Sequence, residues 1–334
     1  MPSSTVRTFN DPYEYQSSIR ASDVKIVVTE PGEFRAELTR IDLHRLWMQR
    51  SRISLPIVAH SVIHKSRSAI LFPTNPEQTF MYQSGIELSY GDMVFNSLGG
   101  ELHIRSSPRL HWGSMSLDPE DLAAAGRALV GHDVIAPATV HVARPPPHLM
   151  SRLLNLHSAA AHLAATAPDI LAHPEVARAV EQQLVRAMIA CLTDPATEES
   201  SRPSRKRLAV MRRLEQLLEA NQHEPLYLSE VCAAIGVTDR TLRQHCQEHL
   251  GMSPHRYLWL RRMHLARRAL ALADGTKSTV TEIANDHGFG ELGRFAVSYR
   301  QIFGESPSAT LRRPPGARPA FRIGQFDDLI SVCA

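Results

Sequence analysis

The sequence predicts an α+β chain of more than one domain. A β-barrel or sandwich comes first, helices follow it, and the all-α C-terminal domain holds a two-helix unit twice around one long helix. Three observations predict this. Short apolar runs with a period of two fill residues 24–117, apolar steps of three and four take over from Pro119, and the last third repeats itself at an offset of 52–53 residues.

The strand reading rests on Val24 to Val28, the alternation from Phe34 to Leu43, Ser68 to Phe72, and Met93 to Asn96. Pro31-Gly32, Pro73 to Pro76, Gly91-Asp92 and Gly99-Gly100 punctuate these runs at the intervals expected of a sandwich or small barrel. Asp118-Pro119-Glu120-Asp121 then places a capping residue, a proline and first-turn acids where a helix begins. A second helix opens at Pro145 to Pro147 and repeats Leu149, Leu153, Leu156, Ala160, Leu163 and Ala167 at steps of four and three, a seam two residues wide per heptad. A third spans Pro174 to Leu192 with Val176, Val180, Leu184, Ala187 and Cys191 on one face. Two uses of these helices stay open: closing the core of the β-domain, or pairing the narrow seam with a second subunit.

This gives an N-terminal arm (1–19), a regulatory domain (20–193) with dimerisation helices at about 145–193, a polar linker (194–203), a helical domain (204–313) and a tail (314–334), in which Phe321 to Val332 could dock back. The 334 residues allow two or three domains with real cores. No apolar run approaches a bilayer span, and the polar N-terminus lacks a signal-peptide layout, so a cytoplasmic location is expected. Cys191, Cys232, Cys246 and Cys333 have no CxxC spacing, which argues for free thiols. The net charge of +3 is uneven: residues 204–313 carry 17 Lys and Arg against 11 Asp and Glu, the rest 20 against 23. A polyanion would therefore meet the C-terminal third.

Within that third, Leu228-Ser229-Glu230-Val231-Cys232 through Gly236-Val237 matches Val280-Thr281-Glu282-Ile283-Ala284 through Gly288-Phe289. After one extra residue near Gly290, Leu242 matches Phe295, Cys246 matches Tyr299, Gly251 matches Gly304, and Ser253-Pro254 matches Ser306-Pro307. Each copy predicts a helix capped by Ser229 or Thr281 and anchored by Val231 or Ile283, a turn at Gly236 or Gly288, and a second helix apolar only at two positions. The second helix is thus free to enter a major groove. In the first copy its open face presents Asp239, Arg240, Arg243, Gln244 and Gln247, and Arg and Gln side chains bind guanine and adenine edges bidentately. Pro254 to Ala273 forms one helix between the copies, with Tyr257, Leu260, Met263, Leu265 and Leu270 as core contacts. At ~1.5 Å per residue it spans roughly 30 Å, close to one turn of B-DNA. Arg256, Arg261, Arg262, Arg267 and Arg268 are phosphate candidates along it.

The segment Leu226–Leu311, with IGVTDRTLRQHCQEHLGMSPHRYL and EIANDHGFGELGRFAVSYRQIFGESPSATL, resembles the AraC/XylS family of bacterial transcription regulators over about a third of the chain. The resemblance implies a seven-helix DNA-binding domain, a cupin-like N-terminal domain, double-stranded promoter DNA as partner, a homodimer, a small-molecule effector and a contact with RNA polymerase. It implies no cofactor, no catalysis and no membrane partner. Carried over by position, Arg240, Arg243 and Gln244 read bases in the first unit, and Leu292, Gly293, Arg294 and Val297 occupy the corresponding face of the second. Thr241, Arg256, Ser298 and Arg300 are the expected phosphate contacts. Many family members have Arg or another polar residue where this chain has Val297, and Gly293 offers no side chain, so Leu292 and Val297 are left to touch thymine methyls.

Two alternatives stay open for the N-terminal domain. The N-terminal domain could only dimerise or bind a protein, or it could be a metal-dependent cupin enzyme using His44, His60, His64, His103 or His111. Against the latter, these histidines lack the His-x-His followed by Glu of cupin metal sites, and no metal ligand is assigned. Trp47, Phe72, Phe80, Tyr82 and Phe95 are candidates for an apolar pocket or for plain core.

Overall fold

A computed structural model of the chain describes residues 2–194, 196–199, 205–221 and 226–313. The expected docking of Phe321 to Val332 lies outside the described residues. In chain order the first domain contains β1 (Ser3–Phe9), α1 (Pro12–Gln16), β2 (Ser22–Val28), β3 (Ala36–Asp42), β4 (Trp47–Ile53), β5 (Ile57–Ile63), β6 (Ser68–Pro73), β7 (Met81–Gln83), β8 (Ile86–Leu88), β9 (Met93–Phe95), β10 (Glu101–Ser106) and β11 (Leu110–Leu117). Then come α2 (Pro119–Val130), β12 (His141–Arg144), α3 (Pro147–Thr166), α4 (Pro168–Ala172), α5 (Pro174–Thr193) and β13 (Glu198–Glu199). The stretch read as an arm therefore includes an edge strand, β1, paired with β3 from Ser3↔Asp42 to Phe9↔Ala36. Part of the stretch read as a linker extends the same sheet, since β13 pairs with β12.

Two antiparallel sheets form, one in the order β1-β3-β4-β11-β6-β9-β12-β13 and one in the order β2-β5-β10-β7-β8. Side-chain alternation builds the layers from this topology. Along β11, Trp112, Ser114 and Ser116 face the space between the sheets. Met115 and Leu117 face the other way, into a core shared with Leu153, Ala160, Leu184 and Ala187 of α3 and α5. Of the α3 seam, Leu153 and Ala160 are buried there, while Leu149, Leu156 and Leu163 pack half-buried against it. Asp118 caps α2 by accepting from the Glu120 N–H at 3.0 Å. Gly113 marks the tightest approach of sheet to helix: a Cβ there would lie 2.6 Å from Phe72 and 2.8 Å from His157. Gly113→Ala is expected to lower stability by about 1–3 kcal/mol through overpacking, read as a lower urea midpoint.

The C-terminal domain has seven helices among the described residues: α6 (Arg205–Ala220), α7 (Leu228–Ile235), α8 (Asp239–Leu250), α9 (Pro254–Leu272), α10 (Val280–Asp286), α11 (Leu292–Phe303) and α12 (Pro307–Leu311). It packs on the outer face of the smaller sheet, α8 and α6 against β10 and α9 against β2. The chain is thus layered as helices, large sheet, small sheet and helical domain.

Candidate nucleic-acid interface

The repeated residues are the joints of the two units. Gly236 and Gly288 sit at φ 69° and 75°, left-handed turns that a side chain would strain. Gly251 and Gly304, at φ 71° and 70°, end α8 and α11. Two residues on, Ser253 and Ser306 accept from the Arg256 and Ala309 N–H groups at 3.3 and 3.2 Å, with proline at the first helical position. The Gly-x-Ser-Pro repeat is therefore a helix stop followed at once by a helix start. The first-helix caps differ from the expectation. Thr279, not Thr281, caps α10, in a reciprocal box with Glu282, and α7 begins at Leu228 with Glu230 reaching back to the Tyr227 N–H. Ser229 and Thr281 lie one residue inside their helices, where a hydroxyl no longer faces the free N–H groups.

Val231, Leu242 and Cys246 anchor the first unit, and Ile283, Phe295 and Tyr299 the second, all buried. On the open face of α8, Asp239, Arg240, Arg243, Gln244 and Gln247 are exposed. Asp239 holds Arg243 by accepting its Nε–H at 2.9 and 3.0 Å, and Gln244 donates to Glu248 at 3.0 Å. Thr238 caps the helix on the Thr241 N–H, and the two hydroxyls lie 2.9 Å apart. On α11, Leu292, Gly293, Arg294, Val297 and Arg300 are exposed and Ser298 is half-buried. Val297 is 59% exposed, high for an apolar side chain, while Arg294 is paired with Glu291 at 3.0 Å.

Matching residues 231–313 is the family described as "Helix-turn-helix domain". The C-terminal domain is an AraC-type helix-turn-helix domain. Among curated relatives, the chain is 36% identical over 149 residues to the "Probable thc operon regulatory protein" of Rhodococcus erythropolis, covering 44% of this chain and 45% of that one. It is 36% identical over 101 residues to "XylDLEGF operon transcriptional activator 3" of Pseudomonas putida, covering 30% of each. The match spans less than half the length of either relative. Among solved structures, the "AraC-like transcriptional activator CuxR" aligns with 85% of this chain and 100% of its own, at 16% identity and a TM-score of 0.41.

The long helix α9 of the AraC-type domain corrects the phosphate expectation. Arg261 is bound to Glu215 at 2.8 Å and to Glu219 at 3.3 Å. Arg267 is buried, 3.4 Å from Asp11 and stacked over Phe303. Both are withdrawn from any polyanion because this face of α9 meets the β-domain. Arg262 is half-buried over Phe289, Arg256 is half-buried over Trp259, and Arg268 is exposed beside Tyr13.

Sequence reasoning missed what Arg261 joins. Glu215 of α6, only 2% exposed, accepts from His103 at 3.0 Å, Tyr257 at 2.7 Å and Arg261 at 2.8 Å, with His60 4.0 Å away. Burial alone would raise its carboxyl, but His103, His60 and Arg261 hold it below the usual carboxylate range. Burial pushes His60 down to about 4 and the Tyr257 hydroxyl well up. Alongside this cluster Lys25 pairs with Glu219, Tyr13 donates to the His264 carbonyl, and His264 donates to the Val28 carbonyl at 3.1 Å. The signal was present: Glu215 interrupts the apolar stripe Met211, Leu214, Leu218 of α6. Of the other candidate histidines, His44 meets the Pro174 carbonyl, His64 meets Asp23, and His111 is half-buried on the edge of β11.

Proposed function

We propose that the chain is a transcription regulator that binds promoter DNA as a homodimer, lays α8 and α11 into adjacent major grooves, and answers to a small molecule held by its β-domain. The observation that carries the reading is the double occurrence of one joint pattern, each copy leaving the outer face of its second helix open. The α9 helix that separates the units is 19 residues long, about 28 Å, near one turn of B-DNA. RNA polymerase is the partner that a promoter-bound regulator meets. The α3 seam packs on the core of its own β-domain, so a second subunit would meet another face.

The two helices divide the labour. In α8, Arg243 and Gln244 read bases and Arg240 flanks them. Asp239 binds the Nε edge of Arg243, which leaves both terminal nitrogens free for the O6 and N7 of a guanine. In α11, Leu292 and Val297 touch thymine methyls, Arg294 serves the adjacent edge, and Ser298 and Arg300 hold phosphates together with Thr241 and Arg256. Arg243→Ala is expected to lose about 1–3 kcal/mol of discrimination at one base pair. Asp239→Ala loses preference at that same base pair while tightening binding to unrelated DNA, since it removes a negative charge. Arg300→Ala weakens binding to all sequences alike and lowers the salt slope by about 1. Mobility-shift titrations over single-base operator variants at several salt concentrations test all three. An unchanged base preference for Arg243→Ala refutes the reading of α8.

A further inference from the structure

Between the two sheets lies a cavity of about 70 Å³ whose wall is mostly aliphatic, with Tyr15 and Trp112 as its aromatic members. None of Trp47, Phe72, Phe80, Tyr82 and Phe95 lines it; Phe72 and Phe95 face the helix layer instead. Apart from serine hydroxyls, its polar groups are already engaged with one exception. Arg20, the charged residue of the wall among those described, is paired with Asp42 at 2.5 Å. Gln49 is spent on the Arg20 backbone, accepting its N–H at 2.9 Å and donating to its carbonyl at 3.0 Å. The Tyr15 hydroxyl lies 2.8 Å from Ser51 and accepts from the Trp112 ring N–H at 3.2 Å. Gln83 differs. It is 1% exposed and donates to Asn96 at 2.7 Å, yet its Oε1 acceptor meets no donor. A buried acceptor left without a donor is costly, so the wall asks its occupant for one hydrogen. A charged occupant would find no free counter-charge and would lose its hydration.

The cavity wall is also the back of the domain interface. On β2, Val24 and Ile26 face the cavity, and Lys25 between them faces the helical domain. On β5, Ala59 and Ser61 face in and His60 faces out; on β10, Leu102 and Ile104 face in and His103 faces out. The register places Lys25 opposite His60 and His60 opposite His103, so the three form one row across the sheet. That row meets Glu219 and Glu215 on α6. Gln83 sits on the neighbouring strand, paired with Ile104. A shift of any of these strands moves both faces together, because alternate side chains share one backbone.

We propose that this cavity takes a small, uncharged, largely apolar molecule with one hydrogen-bond donor, and that its occupancy changes DNA affinity through the row Lys25, His60 and His103. The coupling rests on the reading of the chain as a DNA-binding regulator; the ligand class does not. Phenol, toluene and benzoate test the class, because one ring then carries a donor, nothing or a charge. In thermal-shift titrations of the full chain at millimolar concentrations, phenol raises Tm more than toluene, and benzoate leaves it unchanged. Gln83→Met removes the gap between phenol and toluene. Equal shifts for phenol and toluene on the unaltered chain, or a larger shift with benzoate, overturn the class without recourse to any variant. For the coupling, phenol changes the Kd for a selected operator by at least about fivefold. In the double variant Lys25→Ala, His60→Gln the phenol shift in Tm persists and the change in Kd disappears. A change in Kd that survives in this variant, or none in the unaltered chain, overturns the coupling. Absence of sequence-specific DNA binding without any probe overturns the underlying reading instead, and the thermal arm still decides the ligand class.

Discussion

Glu215→Ala is expected to lower the stability of the full chain by about 3–5 kcal/mol, the usual cost of removing one partner from a buried charged cluster. The carboxylate is the shared acceptor for His103 of the β-domain and for Tyr257 and Arg261 of α9. Without it, the Arg261 guanidinium is left with Glu219 among the described residues, and the Tyr257 hydroxyl and the His103 ring lose a partner in a buried place. Glu215→Gln is the milder change: it preserves shape and one acceptor but cannot balance Arg261. Denaturant unfolding followed by tryptophan fluorescence reads both, since Trp112 lies in the β-domain and Trp259 in α9. A loss below about 1 kcal/mol for Glu215→Ala, the range of exposed ion pairs, would mean that the cluster does not hold the two domains together.

The second large effect is acid sensitivity. Burial pushes His60, His249 and His264 down to about 4, and all three lie where the helical domain meets the β-domain. In the unfolded chain each titrates near 6.5, so below that pH the unfolded state takes up protons that the folded state refuses. The folded pKa is depressed, hence the stability is fully present above about 6.5 and drains away as the pH falls toward 4. At pH 5 the loss is about 2 kcal/mol per histidine. Glu215 has the same sign, but its carboxyl lies low enough that its contribution falls away only in stronger acid. His157, buried against the large sheet and pushed down to about 3, adds to the loss away from the interface. The urea midpoint should therefore drop steeply between pH 7 and pH 5, and His264→Gln should flatten part of that slope. A midpoint constant over this range would contradict neutral histidines at the interface.

The helical domain was more legible in the sequence than the sheets, and the reason is the range of the forces involved. A glycine at positive φ, a serine accepting from the third N–H and a proline at the first helical position act within four residues, so Gly251-x-Ser253-Pro254 carries its geometry with it. Even there, the helices begin after Tyr227 and Thr279 and leave Ser229 and Thr281 inside, because Glu230 and Glu282 reach back to the Tyr227 and Thr279 N–H groups. The strand positions Val24 to Val28 and Ser68 to Phe72 emerged from alternation, but alternation does not say which sheet a strand joins or what covers its outer face. His60 and His103 thus looked like candidate metal ligands, whereas register puts them side by side against Glu215, more than a hundred residues away. Arg261 and Arg267 failed as phosphate contacts for the same reason: helical periodicity cannot reveal that a second domain covers their face. Arg240, Arg243 and Gln244, proposed to read bases, are exposed as expected, because two apolar anchors on a short helix fix which side is buried.

We propose that α8 carries most of this chain's recognition of DNA sequence. The most direct measurement is competitive titration of the full chain and of Arg243→Ala against an operator selected from genomic fragments and each of its single-base variants. The expected result is strong preference for the selected operator, a loss of about 10–100-fold in discrimination for Arg243→Ala at one base pair, and unchanged preference elsewhere. Equal affinity for all variants by the unaltered chain, or a uniform loss across every position for Arg243→Ala, would contradict it.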